Sequence, residues 1–231
     1  MADDLPTPES QDAPKGGLRE RKKAQTRLAI SDVATRLFVE RGFDAVTVAD
    51  VAAAAGVSIK TVFNYFGCKE ELFLDRDGAM RELVVSVVAD RPAGRTVTDA
   101  LGDLIAANCI LDRPGWSAVE DADHARDFRA FVTTWEEAPA LQARLLTGNE
   151  RLTESLGRVI AAERGVPQSE PAVRAFAAML VSALHLRQRA IAEAVLAGVP
   201  GPQVRRRAQA IGAEVLARAA VAFADLDRPA A

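Results

Sequence analysis

Apolar residues recur every three to four positions along most of the chain, which is the spacing of amphipathic α-helices. The first stripe begins after Arg19 and includes Leu28, Val33 and Phe38, and Gly42 can supply a left-handed cap after it. Further helices are predicted at about 97–111, 117–134, 138–164, 170–197 and 202–225, with Gly- and Pro-containing turns between them. The pattern therefore predicts an all-α fold.

Two short helices are predicted around a tight turn between positions 47 and 66. Thr47 can cap the first, Gly56 ends it with a positive φ, and Ser58 can cap the second, which runs through Phe66. The alanines at positions 52–55 allow the two helices to pack closely. A helix-turn-helix of this kind places its second helix in the major groove of DNA. The sequence thus predicts a DNA-binding unit.

One long helix is predicted after this unit, from Lys69 through Phe73 and Met80 to Val87. Its last part, LVVSVVAD, is rich in the β-branched residues typical of strands, but no neighbouring segment offers a strand to pair with. We therefore predict a helix throughout. Cys68 precedes it, and a thiol is expected to cap the helix only weakly.

Charge is distributed unevenly, although the net charge is only −3. Positions 15–70 hold ten basic and six acidic residues, which favours binding to a polyanion, although a solvated helix end would explain RERKK alone equally well. Positions 1–17 are rich in Pro, Asp and Ser and predict a disordered leader without the features of a secretion signal. No apolar run reaches the ~20 residues that span a bilayer, so we expect a cytoplasmic protein that does not bind a membrane.

Residues 20–73 resemble the amino-terminal domain of TetR-family transcriptional regulators. The most specific part is the ordered set A-A-G-V-S, T-x-F-x-Y-F and K-E-E-L within residues 47–73. The resemblance implies a leader at 1–18, a three-helix DNA-binding domain at 19–68, and a larger helical ligand-binding and dimerisation domain at 69–226. It also implies a repressor that acts as a homodimer on a near-palindromic, double-stranded DNA operator.

The same resemblance assigns DNA contacts to the two short helices and the start of the next. Residues 58–61 would read base edges, and Thr47 and Lys69 would bind phosphates. Phe63 stands where the family often has tyrosine, which puts a hydroxyl contact in doubt. Positions 64 and 65 would reach bases or backbone, with a half-buried packing ring as the alternative for Tyr65. The full set is Thr47, Ser58, Ile59, Lys60, Thr61, Phe63, Asn64, Tyr65 and Lys69.

The carboxyl-terminal part is expected to bind a small, largely apolar effector. Residues 139–165 resemble the acyl-CoA-like ligand-binding domain of mycofactocin-type regulators, and Arg126, Arg129 or Arg144 could bind an acidic end of the ligand. The candidate lining residues, for each of which core packing is the alternative, are Trp116, Phe128, Phe131, Trp135, Met179 and His185. We expect the ligand to tilt the helix that begins at Lys69 and so release the DNA.

The last two long helices are predicted to form the dimer interface, as two amphipathic helices at the chain end suit a four-helix contact between copies. The alternative is that their apolar stripes complete the core of one subunit. The stripes are Phe176, Leu180, Leu184, Ile191 and Val195, and Val204, Ile211, Val215 and Ala219.

Other chemistry is weakly supported. His124 could share a helical face with Glu120 and Asp127 as a metal site, although a hydrated acidic helix start explains the pattern better. Cys68 and Cys109 are too few and too distant for a disulfide framework or a zinc site. No catalytic constellation is found, so we expect no cofactor and no enzyme activity. The alternatives to a ligand-controlled regulator are a DNA-binding regulator without a small-molecule ligand and an all-α enzyme.

Overall fold

The described part of the chain folds into α-helices alone. The structure, a computed structural model, describes residues 17–107 and 122–228, and no strand occurs within these ranges. The helices are α1 (Leu18–Arg41), α2 (Val48–Ala54), α3 (Ile59–Tyr65), α4 (Lys69–Phe73), α5 (Asp77–Ala89), α6 (Val97–Ala106), α7 (Ala122–Glu137), α8 (Pro139–Arg164), α9 (Pro171–Leu196) and α10 (Gly201–Ala222). The all-α prediction is confirmed, including the helical state of LVVSVVAD at the end of α5.

The helix ends follow local chemistry. Gly42 follows α1 with φ of 85°, and its N–H donates to the carbonyl oxygen of Phe38 at 2.9 Å. Gly165 ends α8 in the left-handed region with φ of 66°. Pro139 and Pro171 stand at the first positions of α8 and α9, where the missing N–H of proline has no helical partner to lose.

The prediction of one long helix from Lys69 is wrong, because the chain breaks between α4 and α5. Leu72, Phe73 and Leu74 are consecutive and all buried. A straight amphipathic helix has one apolar stripe and does not bury three successive residues against one neighbour. The chain therefore leaves the helix after Phe73, passes through a turn at residues 74–76, and α5 begins at Asp77.

Two larger hydrophobic cores and a smaller one organise the helices. The first joins α1 to α4 with the start of α8, and includes Phe38, Phe66 and Phe73. The second joins α5, α6, α8, α9 and α10, with Leu156 and Phe176 fully buried at its centre. A smaller cluster packs α7 against α9 and α10. In the described ranges, no helix combines the length and the apolar character that crossing a membrane requires.

The stripes predicted to meet a partner subunit lie mostly inside one subunit. Phe176 and Leu180 are fully buried in the second core, and Ile191, Val195, Val204 and Ala219 are also buried. The apolar face of α9 packs instead on α10, α8 and α7 of the same subunit. The assignment of these six residues to the dimer interface is therefore wrong, and the core alternative holds for them, whereas Leu184, Ile211 and Val215 are only partly buried.

Candidate DNA-binding surface and adjoining cavity

The first short helix, α2, is fixed at its start by a reciprocal cap. The Thr47 hydroxyl accepts from the Asp50 N–H at 3.2 Å, while the Asp50 carboxylate accepts from the Thr47 N–H at 2.8 Å and from its hydroxyl at 2.6 Å. The hydrogen bonds from Thr47 lower the pKa of the Asp50 carboxyl. The carboxylate thus stays ionised at the positive end of the helix.

The turn between α2 and α3 depends on Gly56. Its φ is 66°, a conformation that side chains with a Cβ rarely adopt. The Gly56 N–H donates to Ala53 O at 3.2 Å and the Val57 N–H to Ala52 O at 3.0 Å, which closes the end of α2. Ser58 then starts α3, since its hydroxyl accepts from the Thr61 N–H at 3.0 Å. Both predicted caps of the helix-turn-helix are confirmed.

One face of α3 is open to solvent. Phe63 is 53% exposed and Ile59 48% exposed, and Lys60 and Asn64 are exposed beside them. The opposite face holds Val62, which is 1% exposed in the first core. An exposed face that mixes a cation, an amide and two large apolar groups has the donors and methyl contacts that major-groove edges can pair with.

Three of the other predicted DNA-contact residues already make contacts within the subunit. Tyr65 packs half-buried against the first core, and Thr61 is half-buried beside the Ser58 hydroxyl at 2.8 Å. The Lys69 ammonium lies over the Phe43 ring at 4.3 Å from its centroid. Lys69 is thus held by a cation–π contact at the start of α4.

The side chain of Cys68 does not cap α4, in line with the expectation that a thiol caps a helix only weakly. Burial raises the pKa of this thiol, and its side chain makes no capping hydrogen bond. The nearby Gly67 N–H donates instead to the Glu71 carboxylate at 2.8 Å. The other oxygen of Glu71 accepts from Arg144 of α8 at 2.6 Å. Glu71 therefore joins the turn after α3 to α8, and we call this pair of contacts the Glu71 clasp.

Arg27 of α1 makes a second connection, which the sequence analysis missed. Its guanidinium lies over the Phe66 ring at 4.2 Å, donates to the carbonyl oxygen of Tyr65, and pairs with Asp75 at 2.6 Å. The Asp75 side chain is only 4% exposed. These partners lie 38 or more positions away in the chain, so no local pattern could have revealed them. Arg27 holds the end of α3 against the junction between α4 and α5.

A cavity of about 260 Å³ adjoins this junction. Helices α7, α8 and α9 form its other walls. Four of the predicted lining residues lie at this cavity, namely Phe128, Phe131, Trp135 and His185. Met179 is not among the lining residues, because its side chain packs against the second core. Trp116 lies outside the described residues, and so do Cys109 and Glu120 and the side chain of His124.

Aromatic rings lead from the first core to this cavity. Phe73 of α4 stacks on Phe131 of α7, with ring centroids 4.3 Å apart and planes 9° apart. Trp135 lies 6.3 Å from Phe73 on the cavity side, and Phe38 lies 6.1 Å from it on the DNA-binding side. Phe73 is thus shared by the first core and the cavity wall.

Polar groups lie on the other walls. The Asn149 amide and the His185 ring nitrogen are 3.5 Å apart. Burial, and then the charge of Arg189, lower the pKa of His185, so the ring is neutral at neutral pH. Gln142 donates to the carbonyl oxygen of Trp135 at 2.9 Å and thereby fixes the end of α7.

The arginines predicted to bind an acidic ligand group are not those that line the cavity. Arg144 is used in the Glu71 clasp, and Arg129 donates to the carbonyl oxygen of Leu196 at 2.9 Å. Arg126 also lies outside the lining set, which contains Arg76, Arg81 and Arg189 instead. Arg76 directly precedes α5 and Arg81 lies on it, next to the break after Phe73 that the sequence did not predict.

Similarity to known proteins shows the family to which this chain belongs. A model of the family described as bacterial regulatory proteins, tetR family, matches residues 30–75. The HTH-type transcriptional regulator TcmR of Streptomyces glaucescens is 34% identical over 161 residues, which are 69% of this chain and 70% of TcmR. This chain belongs to the TetR family. It is a DNA-binding transcriptional regulator, and regulators of this family bind operator DNA and function as dimers.

Two further similarities cover different parts of the chain. The HTH-type transcriptional repressor KstR2 of Rhodococcus jostii is 38% identical over 77 residues, which are 30% of this chain and 38% of KstR2. The crystal structure of a TetR-family regulator from Mesorhizobium loti covers 87% of this chain and 98% of its own, with 17% identity and a TM-score of 0.49. The resemblance of residues 139–165 to an acyl-CoA-like ligand domain lies outside the matched family segment and stays a prediction.

Proposed function

We propose that this regulator is a homodimeric repressor that leaves a near-palindromic operator when a small, largely apolar ligand occupies the cavity. The observation that supports this best is the double role of Phe73. Its ring belongs to the core that holds α3, and it stacks on Phe131 in the cavity wall at 4.3 Å. A ligand against Phe131 therefore presses on a residue that also supports the DNA-binding helices.

The proposed DNA contacts follow from exposure and chemistry. Asn64 can pair with an adenine edge, Lys60 can bind a phosphate or guanine, and Ile59 and Phe63 can pack on thymine methyl groups. All four are exposed on one helix. The remaining proposed contacts are Thr47, Ser58, Thr61, Tyr65 and Lys69, of which Lys69 must give up part of its contact with the Phe43 ring to reach a phosphate.

The proposed dimer uses the outer face of α9 and α10. Between its buried core positions, this face presents small exposed side chains, including Ala178 and Ser182 on α9 and Ala217 on α10. Val221, at the end of α10, is 83% exposed. Small residues allow two helix pairs to approach closely. A two-fold axis through this face must bring the two α3 helices roughly 34–36 Å apart, one turn of DNA.

The proposed switch acts through the junction of α4 and α5. A ligand changes operator affinity only if it prefers one arrangement of the domains, and typical couplings are about 1–3 kcal/mol. The junction is tied to α1 by Arg27 and Asp75, and α4 is tied to α8 by the Glu71 clasp. A shift of α8 or α5 around a ligand would thus reposition α4 and, with it, α3.

The size of the cavity limits which effectors can fit. The volume of about 260 Å³ is below the ~300–1,000 Å³ of sites for drug-sized ligands. A whole acyl-CoA does not fit into such a space, although its acyl end would. We therefore propose a compact effector that the protein largely encloses.

The DNA-binding proposal is tested by footprinting the purified protein on its own upstream DNA, followed by salt titration of binding. Asn64→Ala should cost about 1–3 kcal/mol and relax specificity at one base pair. Lys60→Ala, if its contact is to a phosphate, should weaken all sequences alike and reduce the salt slope by about one contact. Arg158→Gln, which removes an exposed charge from α8, is the matched control and should change neither. Unchanged binding by both α3 variants would refute the assigned surface.

The dimer proposal is tested by analytical ultracentrifugation. Ala217→Arg places a charge in the middle of the proposed face, and we expect it to produce folded monomers that lose operator affinity. The control Arg158→Gln should remain dimeric. A dimeric Ala217→Arg with normal operator binding would move the interface elsewhere.

A further inference from the structure

Five of the described residues that line the cavity are charged. Among the described lining residues, Arg76, Arg81 and Arg189 are cationic, and Asp77 and Glu136 are anionic. Arg81 pairs with Asp77, and Arg189 lies 3.3 Å from Glu193. These two cations are therefore already partnered within the protein.

Arg76 differs from the other two arginines. Its guanidinium makes no hydrogen bond and no ion pair with any residue in the described ranges, and the residue is only half-exposed. It directly precedes α5, at the junction where Leu74 and Asp77 also line the cavity. A half-buried guanidinium has five N–H donors and a planar shape that matches a carboxylate. Arg76 is therefore available to a bound anion.

The charges around Arg81 are of both signs. Burial, and then the charges of Arg144 and Arg151, lower the pKa of Arg81, and the charges of Glu71 and Glu82 oppose this. Gly148 of α8 makes room for the Arg81 side chain, since a Cβ there would lie 2.9 Å from the Arg81 guanidinium.

The aromatic part of the lining favours flat, apolar groups. Phe131 is stacked on Phe73 and therefore keeps its plane fixed, and Trp135 and Phe128 extend the same wall. Fixed aromatic faces favour stacking or edge contacts with another ring. The cavity exceeds the ~150 Å³ that binds benzene but is smaller than a typical drug site, so it suits one ring or two fused rings.

We propose that the effector class is a small planar aromatic carboxylate of one or two rings, with its carboxylate bound by Arg76 and its ring against Phe131 and Trp135. The polar pair of Asn149 and His185 then faces the ring edge and can bind a hydroxyl or carbonyl substituent. This inference rests on the proposed function, because it names the ligand of the proposed switch. Arg76 thereby replaces Arg126, Arg129 and Arg144 as the candidate for binding the anion.

The competing ligand is an aromatic cation. Glu136 and the aromatic wall could bind an ammonium group by charge and cation–π contacts. With the pairs Arg81–Asp77 and Arg189–Glu193 set aside, one cation and one anion remain in the described lining, but Glu136 is exposed to solvent whereas Arg76 is half-buried. An ammonium group would add positive charge beside Arg76, Arg81 and Arg189.

Three probes of one size separate these cases, namely naphthoate, naphthamide and naphthylmethylammonium. The chain has two tryptophans, so Trp116→Phe leaves Trp135 as the only indole, and its fluorescence reports binding at the cavity wall. Naphthoate should quench this fluorescence and bind at least about tenfold more tightly than naphthamide, as expected for a charge-assisted hydrogen bond. Naphthylmethylammonium should bind most weakly.

Arg76→Gln tests the assigned anion partner. In this variant naphthoate should lose its advantage over naphthamide, while the affinity for naphthamide stays within about twofold. Unchanged naphthamide binding shows that the variant is folded around the cavity. Arg158→Gln, which removes the same charge from the outer surface of α8, should retain the full preference for naphthoate.

The outcomes separate this inference from the proposed function. Tightest binding by naphthylmethylammonium or naphthamide, or no quenching of Trp135 by any probe, would overturn the aromatic carboxylate class. Retention of the naphthoate preference in Arg76→Gln would overturn the role of Arg76. Naphthoate that binds as predicted but never weakens operator binding would leave the ligand class intact and refute the switch.

Discussion

The DNA-binding helices and the larger helical domain hold their helix ends in different ways. Thr47 and Ser58 cap α2 and α3 with partners three positions away in the chain. The start of α6 has a similar local cap, but it also makes a long-range hydrogen bond. The Thr98 N–H donates to the carboxylate of Asp227 at 2.9 Å, and these residues are 129 positions apart in the chain. The larger domain thus depends on contacts between distant segments, whereas the helix-turn-helix is largely specified within itself.

This difference bears on how a ligand could control DNA binding. A unit fixed by local caps moves as a rigid body, and a bundle fixed by long-range packing can shift its helices around a cavity. The two meet where α1 packs against α4 and α7 and where α4 packs against α8. The proposed switch would therefore need no change inside α2 and α3, only a change in their position.

The largest effect is expected from Phe73→Ala, which attacks the residue that both regions share. The ring is 1% exposed and contacts Phe38, Phe43, Phe131 and Trp135. Loss of a buried phenyl ring typically costs about 3–5 kcal/mol. Urea denaturation should show this loss of unfolding free energy.

The matched control is Phe63→Ala, since Phe63 is 53% exposed on α3. It should change the unfolding free energy by less than about 0.5 kcal/mol while weakening operator binding. Equal destabilisation by the two variants would mean that Phe73 is not the shared support we infer.

A smaller effect is expected at the Glu71 clasp. Arg144→Gln removes the link between α4 and α8 but leaves the Gly67 N–H bonded to Glu71. Operator affinity without ligand should stay within about twofold, while release by naphthoate should lose much of a coupling of about 1–3 kcal/mol. Competition binding at several naphthoate concentrations measures both quantities.

Arg95→Gln is the comparison variant for this experiment. Arg95 lies in the turn before α6 and pairs with Asp103 of that helix. It should keep the full response to naphthoate. The clasp would have no role in coupling if Arg144→Gln responded as Arg95→Gln does.

The third prediction concerns a local cap. Ser58→Ala removes the acceptor of the Thr61 N–H, and such substitutions cost about 0.5–2 kcal/mol. Because α3 has only seven residues, the start of the helix should fray. Hydrogen exchange should therefore rise at Thr61 and Val62 but remain unchanged in α9. Faster exchange throughout α9 would show that the two regions unfold together.

The sequence predicted the locally determined features well. The caps at Thr47 and Ser58, the turn at Gly56 and the lack of a side-chain cap from Cys68 each depend on residues within a few positions. Four aromatic or histidine residues of the cavity were also identified, because large side chains on amphipathic middle helices are either core or pocket.

Features set by long-range packing could not be predicted. Met179 has the same apolar character as the lining residues but lies on the side of α9 that faces the second core. Arg76 and Arg81 line the cavity next to the break after Phe73, and the sequence did not predict this break. The contacts of Arg27 likewise depend on how α1 packs against α4.

The smallest effect is expected from pH at His185. Burial lowers its pKa, with Arg189 adding to this and Glu136 opposing it, and the uncharged Asn149 is its hydrogen-bonding neighbour. The unfolded chain therefore binds the proton more readily than the folded protein. The contribution to stability is complete above the ordinary histidine pKa of about 6.5 and is lost as the pH falls towards the lower folded pKa. His185→Gln removes this loss while keeping a polar group beside Asn149. Between about pH 7.5 and pH 5.5, the Tm of the wild type should fall further than that of His185→Gln, by no more than a few degrees, since 1 kcal/mol corresponds to about 2–4 °C at this size. Parallel Tm curves for the two proteins would show that the imidazole takes up its proton in the folded protein as easily as in the unfolded chain.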